Sequence, residues 1–273
     1  MKSTEAKTYL ITGAGSGIGA ALATKLARTG QYVMLADINL AAAQEIVAAV
    51  GPHTDAVELD IRDERAWERA FDATFARFGR LDVLINNAGI VHTGLARNVA
   101  IGDHQATIDT NFIGPLTGMI GALHRFRDIG AGHLVTVCSM TAFMPLCGLA
   151  SYSASKHALR AFHYAVALEE RHSFIDFTIV HPTATDTPML DKEAADDDAA
   201  MAFLAKSVSA DEVADTVIKA IKSKAIEVCM PQASARKVKS LGADPKRLRS
   251  YADQMERIGR DGQTAKRAAA LRT

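Results

Sequence analysis

Cysteine is scarce in this chain of 273 residues: there are three, Cys138, Cys147 and Cys229, an odd number without the close pairing of a metal site. This scarcity excludes a disulfide framework and indicates a reducing compartment. The formal net charge is zero, so overall charge gives no reason to expect binding to nucleic acid or to a membrane surface. No apolar run approaches the roughly 18 residues of a membrane span, and no apolar signal core precedes the first predicted strand. We therefore expect a cytoplasmic protein with no bound metal and with neither nucleic acid nor a membrane as a partner.

What the chain does have is a regular alternation of short apolar, β-branched runs with longer stretches of helical periodicity. The predicted strands are residues 8–12, 32–36, 56–59, 83–86, 134–138, 177–181 and 226–229. The predicted helices include residues 18–28, 40–50, 64–78 and 103–126. Such an alternation predicts βαβ units and a parallel sheet. With 48% hydrophobic and 23% charged residues, the composition is globular, and the length suits one large α/β domain.

Two segments depart from this alternation. Residues 182–208 are long for a loop inside a compact domain, which is typical of a lid or of an insertion with its own helix; we call them the lid. The lid follows the carboxyl end of a strand, where doubly wound sheets bind ligands. Residues 232–273, the C-terminal extension, hold eleven Lys and Arg against four Asp and Glu. Because these charges are dispersed, we expect a helical, solvated extension or a frayed end, with an interaction arm as the alternative.

Tyr152 and Lys156 lie four positions apart at the start of a helical pattern, so one face of a helix carries both. The ammonium of Lys156 would favour the phenolate of Tyr152 and lower a pKa of about 10 by roughly 1 to 3 units. A phenol tuned in this way can exchange a proton with an alcohol or a carbonyl near neutral pH. Ser139, thirteen residues before Tyr152, adds a hydroxyl to the set.

A glycine-rich segment, Thr-Gly-Ala-Gly-Ser-Gly-Ile-Gly at residues 12–19, follows the first predicted strand and opens a helix. Glycines let the backbone approach a pyrophosphate, and the helix N-terminus supplies amide donors. Asp37 ends the second strand and is placed to accept hydrogen bonds from an adenosine ribose. A carboxylate there repels a 2′-phosphate, and neither Ser16 nor Ile38 is basic. NAD is therefore favoured over NADP.

Four motifs, in this order and spacing, resemble those of the short-chain dehydrogenase/reductase family. They are Thr-Gly-x-x-x-Gly-x-Gly at residues 12–19, Asn-Asn-Ala-Gly at 86–89, the serine at 139, and Tyr-x-x-x-Lys at 152–156. The resemblance spans about residues 7–230. It implies a single doubly wound, Rossmann-like α/β domain over residues 1–231, with a mainly parallel seven-stranded sheet flanked by helices. It also implies a homodimer or homotetramer, formed through helices at about 103–126 and 152–171.

The resemblance implies roles for individual residues. Tyr152 would be the general acid/base, Lys156 would lower its pKa and bind the nicotinamide ribose, and Ser139 would orient and polarise the substrate oxygen. Asn111 would anchor a water-linked proton relay. The residues expected around the cofactor are Gly13, Ser16, Gly17, Ile18, Gly19, Asp37, Ile38, Asp60, Ile61, Asn87, Ala88, Gly89, Tyr152, Lys156, Pro182, Thr185 and Thr187. Two positions depart from the family: Thr183 replaces its usual glycine, and Thr185 replaces a small aliphatic residue.

A mostly apolar set flanks the catalytic residues and is the expected substrate pocket: Met140, Phe143, Leu146, Leu149 and Met189. This set suits a small hydrophobic alcohol or ketone. We therefore expect an NAD(H)-dependent oxidoreductase that interconverts a hydrophobic secondary alcohol and its ketone. An NADPH-dependent carbonyl reductase is one alternative, which Asp37 disfavours. A non-catalytic NAD-binding regulator is the other, which the complete Ser, Tyr, Lys and Asn set disfavours.

Overall fold

Residues 6–271 are described in the computed structural model of the protein. Residues 1–5 of the predicted domain and residues 272–273 of the C-terminal extension lie outside the described residues. The strands in the described range are β1 (Thr8–Thr12), β2 (Tyr32–Asp37), β3 (Thr54–Glu58), β4 (Val83–Asn86), β5 (Gly132–Val137), β6 (Ile175–His181), β7 (Thr185–Asp186), β8 (Val208–Ser209) and β9 (Glu227–Cys229).

Seven of these strands form one sheet in the order β3-β2-β1-β4-β5-β6-β9, and every neighbouring pair is parallel. The short β7 and β8 pair separately at the two ends of the lid. The predicted α/β fold with a seven-stranded parallel sheet is therefore confirmed. Each predicted strand overlaps an observed one, with ends that differ by at most two residues.

Helices cover both faces of the sheet. They are α1 (Gly17–Arg28), α2 (Leu40–Val50), α3 (Glu64–Phe78), α4 (Ile101–Ile108), α5 (Gly114–Ile129), α6 (Ala150–Glu169), α7 (Pro188–Ala195), α8 (Ala210–Ser223), α9 (Gln232–Gly242) and α10 (Pro245–Ala270). Short 3-10 turns occupy Met140–Ala142 and Asp197–Phe203. Among the helices of residues 6–271, none is long and apolar enough to cross a membrane.

The predicted helix over residues 103–126 is not one continuous α-helix. Between α4 and α5, the five residues Asp109–Ile113 form a π-helical turn. Such turns are often found at functional sites, because the extra residue changes the direction in which a side chain points. The turn contains Asn111, whose side chain is completely buried. Apolar periodicity does not reveal a single inserted residue, so the prediction missed the interruption.

Two apolar cores lie on opposite faces of the sheet. The core under α1, α2 and α8 includes Ile11, Leu22, Val33, Ile85 and Val217. The core under α3, α5 and α6 includes Leu10, Trp67, Phe71, Leu84 and Phe126. Burial of each such side chain contributes about 1.5–3 kcal/mol. Because the central strands are buried on both faces, their sequences are continuous apolar runs rather than alternating ones.

The chain reverses its winding direction between β1 and β4. From β1 it continues to β2 and β3 on one side, and from β4 it continues to β5, β6 and β9 on the other. The loops after β1 and β4 therefore diverge at the carboxyl edge of the sheet and leave a crevice, where open α/β sheets bind ligands. The glycine loop, the Asn-Asn-Ala-Gly segment and Ser139 all follow strands at this edge.

The C-terminal extension forms the helices α9 and α10, which fold back over this carboxyl edge of the sheet. Its basic residues pair with carboxylates of β9 and the lid. The ion pairs are Lys239 with Glu227, Lys266 with Asp186 and Asp191, and Arg267 with Asp197, with N–O distances of 2.5–3.2 Å. The described part of the extension is helical and mostly exposed, as expected, but it is docked against the domain rather than frayed. The division of the chain at residue 231 stays a prediction.

Apolar packing completes the docking of the extension. The side chains of Met144, Met201 and Met255 form a buried cluster between the sheet edge, the lid and α10. Within α10, Gly259 lies so close to the lid that a Cβ atom there would stand 2.3 Å from the carbonyl oxygen of Ala200. Only glycine permits this approach without displacing backbone.

We predict that Gly259→Ala destabilises the protein by about 1–3 kcal/mol, because the added methyl group overpacks the contact between α10 and the lid. Urea denaturation followed by circular dichroism measures the change. Gly102→Ala in α4 is the matched control, since a Cβ atom there meets open space. The control should be unchanged or up to about 1 kcal/mol more stable. Equal stabilities of the two variants would contradict the docked arrangement.

Candidate active site

The glycine loop is fastened to the segment that follows β4. The hydroxyl of Thr12 accepts hydrogen bonds from the amides of Asn87 (3.0 Å) and Ala88 (3.1 Å). In return, Nδ2 of Asn87 donates to the carbonyl oxygens of Thr12 (2.9 Å) and Gly13 (3.3 Å). Gly13 has a φ of 65°, and a Cβ atom there would lie 2.8 Å from the Cα of Ala88. Asn87 and Ala88 thus shape the loop through its backbone.

The N-terminus of α1 is open to a ligand. Its N-cap residue is the exposed Ser16, whose side chain makes no capping hydrogen bond. The first turn, which contains Gly17, Ile18 and Gly19, has no acidic side chain. Backbone N–H groups and the positive end of the helix dipole therefore remain available for an anion such as a pyrophosphate.

Asp37 lies at the end of β2, directly beside the glycine loop. Its Oδ2 accepts a hydrogen bond from the amide of Gly15 (2.8 Å), and its Oδ1 accepts one from the amide of Asn39 (2.9 Å). These two bonds fix the direction of the carboxylate and leave each oxygen able to accept another hydrogen bond. The neighbouring Ile38 is 61% exposed and forms an open surface next to the carboxylate.

Asp60 and Ile61 lie further along the edge, after β3. The guanidinium of Arg62 binds the carboxylate of Asp60, with an Nη2–Oδ2 distance of 2.6 Å. This hydrogen bond lowers the pKa of Asp60. The carbonyl oxygen of Ile61 accepts a hydrogen bond from Nε1 of Trp67 (2.9 Å), which ties the loop to the core. Asp60 is thus already paired on the side where an adenine contact is expected.

Asn111 connects three elements at the bottom of the crevice. Its Nδ2 donates to the carbonyl oxygen of Ile90 (2.8 Å) and to Oγ of Ser155 in α6 (3.2 Å). Its Oδ1 accepts a hydrogen bond from the amide of Ile90 (2.8 Å). The residue sits beside the predicted catalytic pair and holds the loop after β4 against α6. A Cβ atom on Gly89 would lie 3.2 Å from this Oδ1.

Ser139, Tyr152 and Lys156 come together at the carboxyl end of β5. Ser139 follows this strand, and its Oγ accepts a hydrogen bond from the amide of Thr141 (3.1 Å). Tyr152 and Lys156 lie in the first two turns of α6, and Nζ of Lys156 is 5.5 Å from the centre of the Tyr152 ring. Lys156 is 3% exposed. No hydrogen bond or ion pair to its ammonium is present among residues 6–271.

In the protein without cofactor, Lys156 does not lower the pKa of Tyr152 as expected. Burial raises the pKa of Tyr152, the nearby charge of Glu193 raises it further, and a hydrogen bond from Ser139 opposes the rise only in part. Burial also lowers the pKa of Lys156, because a low-dielectric site disfavours the ammonium. The sequence showed the spacing of the pair but not how deeply both groups are buried.

The lid begins with threonines tied to one another. The hydroxyl of Thr185 donates to the carbonyl oxygen of Thr183 (2.9 Å), and that of Thr187 donates to the carbonyl oxygen of Thr185 (3.2 Å). The carbonyl oxygen of Pro182 accepts a hydrogen bond from the amide of Met140 (2.9 Å). The two residues that depart from the family therefore bond to each other and do not distort the edge.

A cavity of about 520 Å³ joins these groups. Its lining includes Ser139, Tyr152 and the cofactor candidates Ile18, Pro182, Thr185 and Thr187. Four of the five predicted substrate-pocket residues also line it: Met140, Leu146, Leu149 and Met189. The lining is mostly apolar, and the volume lies in the range of small-molecule sites.

Phe143 is not among the described residues that line this cavity, so its predicted place in the substrate pocket gains no support here and stays a prediction. Its ring lies 4.5 Å from the ring of His181, and the cationic groups of Arg160 and Lys239 each lie 4.5 Å from its centre. Both cations also pair with the carboxylate of Glu227. Cation–π attraction and this ion-pair network hold the ring behind the cavity wall.

Sequence reasoning missed two contributions to the cavity. The first is the C-terminal extension, which lines it with Val238, Leu241, Tyr251, Met255 and Ile258. Within α9 and within α10 these residues are three or four positions apart, a helical signal that could have identified a buried face. The second is Glu193 of α7, a carboxylate in the apolar wall. A single glutamate on a short helix carries no sequence signal for burial.

Comparisons with known proteins agree with this arrangement. The profile of the short chain dehydrogenase family matches residues 7–198. The 1-deoxy-11-beta-hydroxypentalenate dehydrogenase of Streptomyces avermitilis is 36% identical over 222 residues, which are 79% of this chain and 81% of the relative. The 2,5-dichloro-2,5-cyclohexadiene-1,4-diol dehydrogenase of Sphingobium indicum is 32% identical over 186 residues, 67% of this chain and 74% of the relative.

The chain belongs to the short-chain dehydrogenase family. A solved structure of 3-ketoacyl-(acyl-carrier-protein) reductase from Brucella melitensis, complexed with NADH, has a TM-score of 0.75 and 27% identity, and the match covers 82% of this chain and 96% of that one. The family match and the named dehydrogenases establish an oxidoreductase that acts on CH–OH groups with a nicotinamide cofactor, NAD or NADP.

The crevice fits such a cofactor. Backbone donors at the start of α1 suit the phosphates, and Asp37 offers free lone pairs beside them. The buried ammonium of Lys156 has three donors and no hydrogen-bond acceptor within the described range, which suits the hydroxyls of a ribose. A Cβ atom on Gly89 would lie 3.6 Å from this Nζ, so residue 89 borders the space next to the ammonium.

Proposed function

We propose that the protein is an NAD(H)-dependent oxidoreductase that interconverts a hydrophobic secondary alcohol and its ketone. The observation that carries the proposal is the meeting of the Ser139 and Tyr152 hydroxyls at one end of an apolar cavity, with the buried ammonium of Lys156 behind them. Apolar walls favour a hydrophobic substrate body, and the two hydroxyls provide the polar contacts for one oxygen atom.

In this proposal Tyr152 exchanges the proton of the substrate hydroxyl. Its Oη removes the proton during oxidation and returns it during reduction. Ser139 Oγ donates a hydrogen bond to the same substrate oxygen and so fixes its position. When bound, the oxidised nicotinamide supplies the hydride acceptor and a positive charge near the phenol.

We propose that the ammonium of Lys156 stabilises the phenolate form of Tyr152 once the cofactor is bound. The protein's own groups leave the pKa of Tyr152 raised, so the proton transfer needs added positive charge or relief from anionic neighbours. Asn111 binds the loop after β4 and the side chain of Ser155, and so holds this loop against the helix that carries the ammonium and the phenol. We propose that Asn111 also provides the anchor for a water-linked path to the solvent.

We propose NAD over NADP because of Asp37. A 2′-phosphate at the ribose would approach a carboxylate whose direction is fixed by Gly15 and Asn39. Two charges of the same sign at about 4 Å repel by roughly 4 kcal/mol near a protein surface. Positions 16 and 38 hold serine and isoleucine, so no basic residue there offsets this repulsion. A ribose with a free 2′-hydroxyl would instead donate a hydrogen bond to the carboxylate.

We also propose a cytoplasmic homodimer or homotetramer, formed through α5 and α6. Ile113, directly before α5, is 41% exposed, and Ile120 within α5 is 42% exposed. Leu168 near the end of α6 is 66% exposed. Contact with a second copy would cover these side chains. The free cysteines agree with a reducing compartment, since Cys138 and Cys229 are buried without forming a disulfide.

We predict that Tyr152→Phe lowers kcat by at least about a thousandfold, because the proton acceptor is lost while the ring still fills its place. Turnover of a panel of hydrophobic secondary alcohols with NAD, followed by absorbance of the reduced cofactor, measures this effect. NAD binding, measured by calorimetry, should change less than threefold. Full activity of the variant would contradict the assignment of Tyr152 as the general acid/base.

We predict that Asp37→Ser raises the ratio of kcat/KM with NADP to kcat/KM with NAD by about 100-fold or more, since the repelling charge is removed. Steady-state kinetics with both cofactors at constant ionic strength gives the ratio. Asp55→Ser, which removes an exposed carboxylate on β3 that pairs with Arg77, is the control and should leave the ratio unchanged. A wild-type preference for NADP would favour the carbonyl reductase reading instead.

A further inference from the structure

Among residues 6–271, Glu193 is the one acidic side chain in the lining of the cavity. It lies on α7 and is 7% exposed, among the apolar side chains of Leu190, Met189 and Met201 that also line the cavity. An ionised carboxylate in such surroundings is costly unless it is paired or hydrogen-bonded. A buried glutamate that faces a ligand cavity therefore calls for a specific partner.

The protein does not provide that partner within residues 6–271. The backbone carbonyl of Glu193 accepts a hydrogen bond from Gln263 of α10 (3.3 Å), but its carboxylate takes part in no hydrogen bond and no ion pair there. Two cations near Glu193 in the sequence or at the end of α7, Lys192 and Arg267, are engaged elsewhere. Lys192 donates to the carbonyl oxygen of Val91, and Arg267 binds Asp197 and the carbonyl oxygen of Ala194.

The carboxylate also lies close to the reacting groups. Its charge acts on the phenol of Tyr152, and burial raises the pKa of Glu193 itself to about 7. A group on the substrate that donates a hydrogen bond to Glu193 would spread this negative charge and weaken its effect on Tyr152. Substrate recognition and the readiness of Tyr152 to lose a proton would then be linked.

We infer that Glu193 is a specificity-determining residue that accepts a hydrogen bond from a second hydroxyl of the substrate, so that the preferred substrates are hydrophobic diols or hydroxyketones. The inference rests on the proposed alcohol oxidation at Tyr152 and names its substrate class more narrowly. The first hydroxyl reacts between Ser139 and Tyr152, and the second is held by the carboxylate in the same cavity.

A hydroxyl fits this position better than an ammonium group or a carboxylate. The exposed cations Lys237 and Arg247, which also line the cavity, disfavour a positively charged substrate. A substrate carboxylate next to Glu193 would meet a charge of the same sign in a low-dielectric site. A neutral hydroxyl avoids both penalties and still forms a strong, charge-assisted hydrogen bond.

The test compares cyclohexanol with cyclohexane-1,2-diol, -1,3-diol and -1,4-diol and with 4-aminocyclohexanol, using the full-length enzyme and NAD. We expect the wild type to prefer at least one diol over cyclohexanol, and Glu193→Leu to lower kcat/KM for that diol by roughly 10- to 100-fold, as loss of a hydrogen bond to a charged group predicts. Activity with cyclohexanol should stay the same or rise. Glu193→Gln, which keeps an acceptor oxygen, should recover part of the preference.

Asp191→Asn is the matched control, because this carboxylate lies on the same helix but is exposed and pairs with Lys266. It should leave the ratio of diol to cyclohexanol turnover unchanged. Equal losses with every alcohol in Glu193→Leu would show a structural role and overturn the inference. A preference for the amino alcohol, or oxidation of the alcohols by the wild type without a preference for any diol, would overturn it as well.

Binding separates this inference from the proposed function. In the Tyr152→Phe background, ligand-observed NMR titration should still show tighter binding of the preferred diol than of cyclohexanol, and Glu193→Leu should remove the difference. If the wild type oxidises none of the alcohols but this binding difference is present, the proposed function fails and the role of Glu193 stands. If the alcohols are oxidised but the difference is absent, the role of Glu193 fails alone.

Discussion

The buried ammonium of Lys156 is the constraint around which the rest of the site is arranged. Removing such a charge from water costs several kcal/mol, and no acceptor in the described part of the chain offsets that cost. The surrounding elements nevertheless fix it: α6 supplies its position, Asn111 locks the neighbouring loop, and Gly89 leaves space beside Nζ. An unpaired buried cation lowers the stability of the free protein, and a bound ligand with hydrogen-bond acceptors would compensate for this cost. We propose that this ligand is the cofactor ribose.

The second requirement is a mostly apolar cavity for the substrate, and here the C-terminal extension matters. Its net positive charge is complementary to carboxylates on β9 and the lid, and the close contact at Gly259 brings α10 against the lid. Exposed ion pairs contribute little individually, so the buried methionine cluster is the main source of docking stability. The extension thereby becomes a wall of the cavity that receives the substrate.

Much of this could be predicted from the sequence because local patterns carry it. The buried strands are continuous apolar runs, the glycine loop has its spacing, and Tyr152 and Lys156 lie one helical turn apart. Features that depend on distant contacts could not be predicted. Phe143 is drawn behind the cavity wall by Arg160 and Lys239, which come from different elements, and the burial of Glu193 depends on how α7 packs. The raised pKa of Tyr152 likewise results from burial that no spacing reveals.

The central claim is that Lys156 is stabilised by the cofactor rather than by the protein. Calorimetric titration of NAD into the wild type and into Lys156→Met, with urea denaturation of both in the absence of NAD, tests it most directly. The account predicts that the variant binds NAD at least about tenfold more weakly, yet is as stable as the wild type or more stable, because a buried uncompensated charge has been replaced by an apolar side chain of similar length. Unchanged NAD affinity together with a lower free energy of unfolding would contradict it.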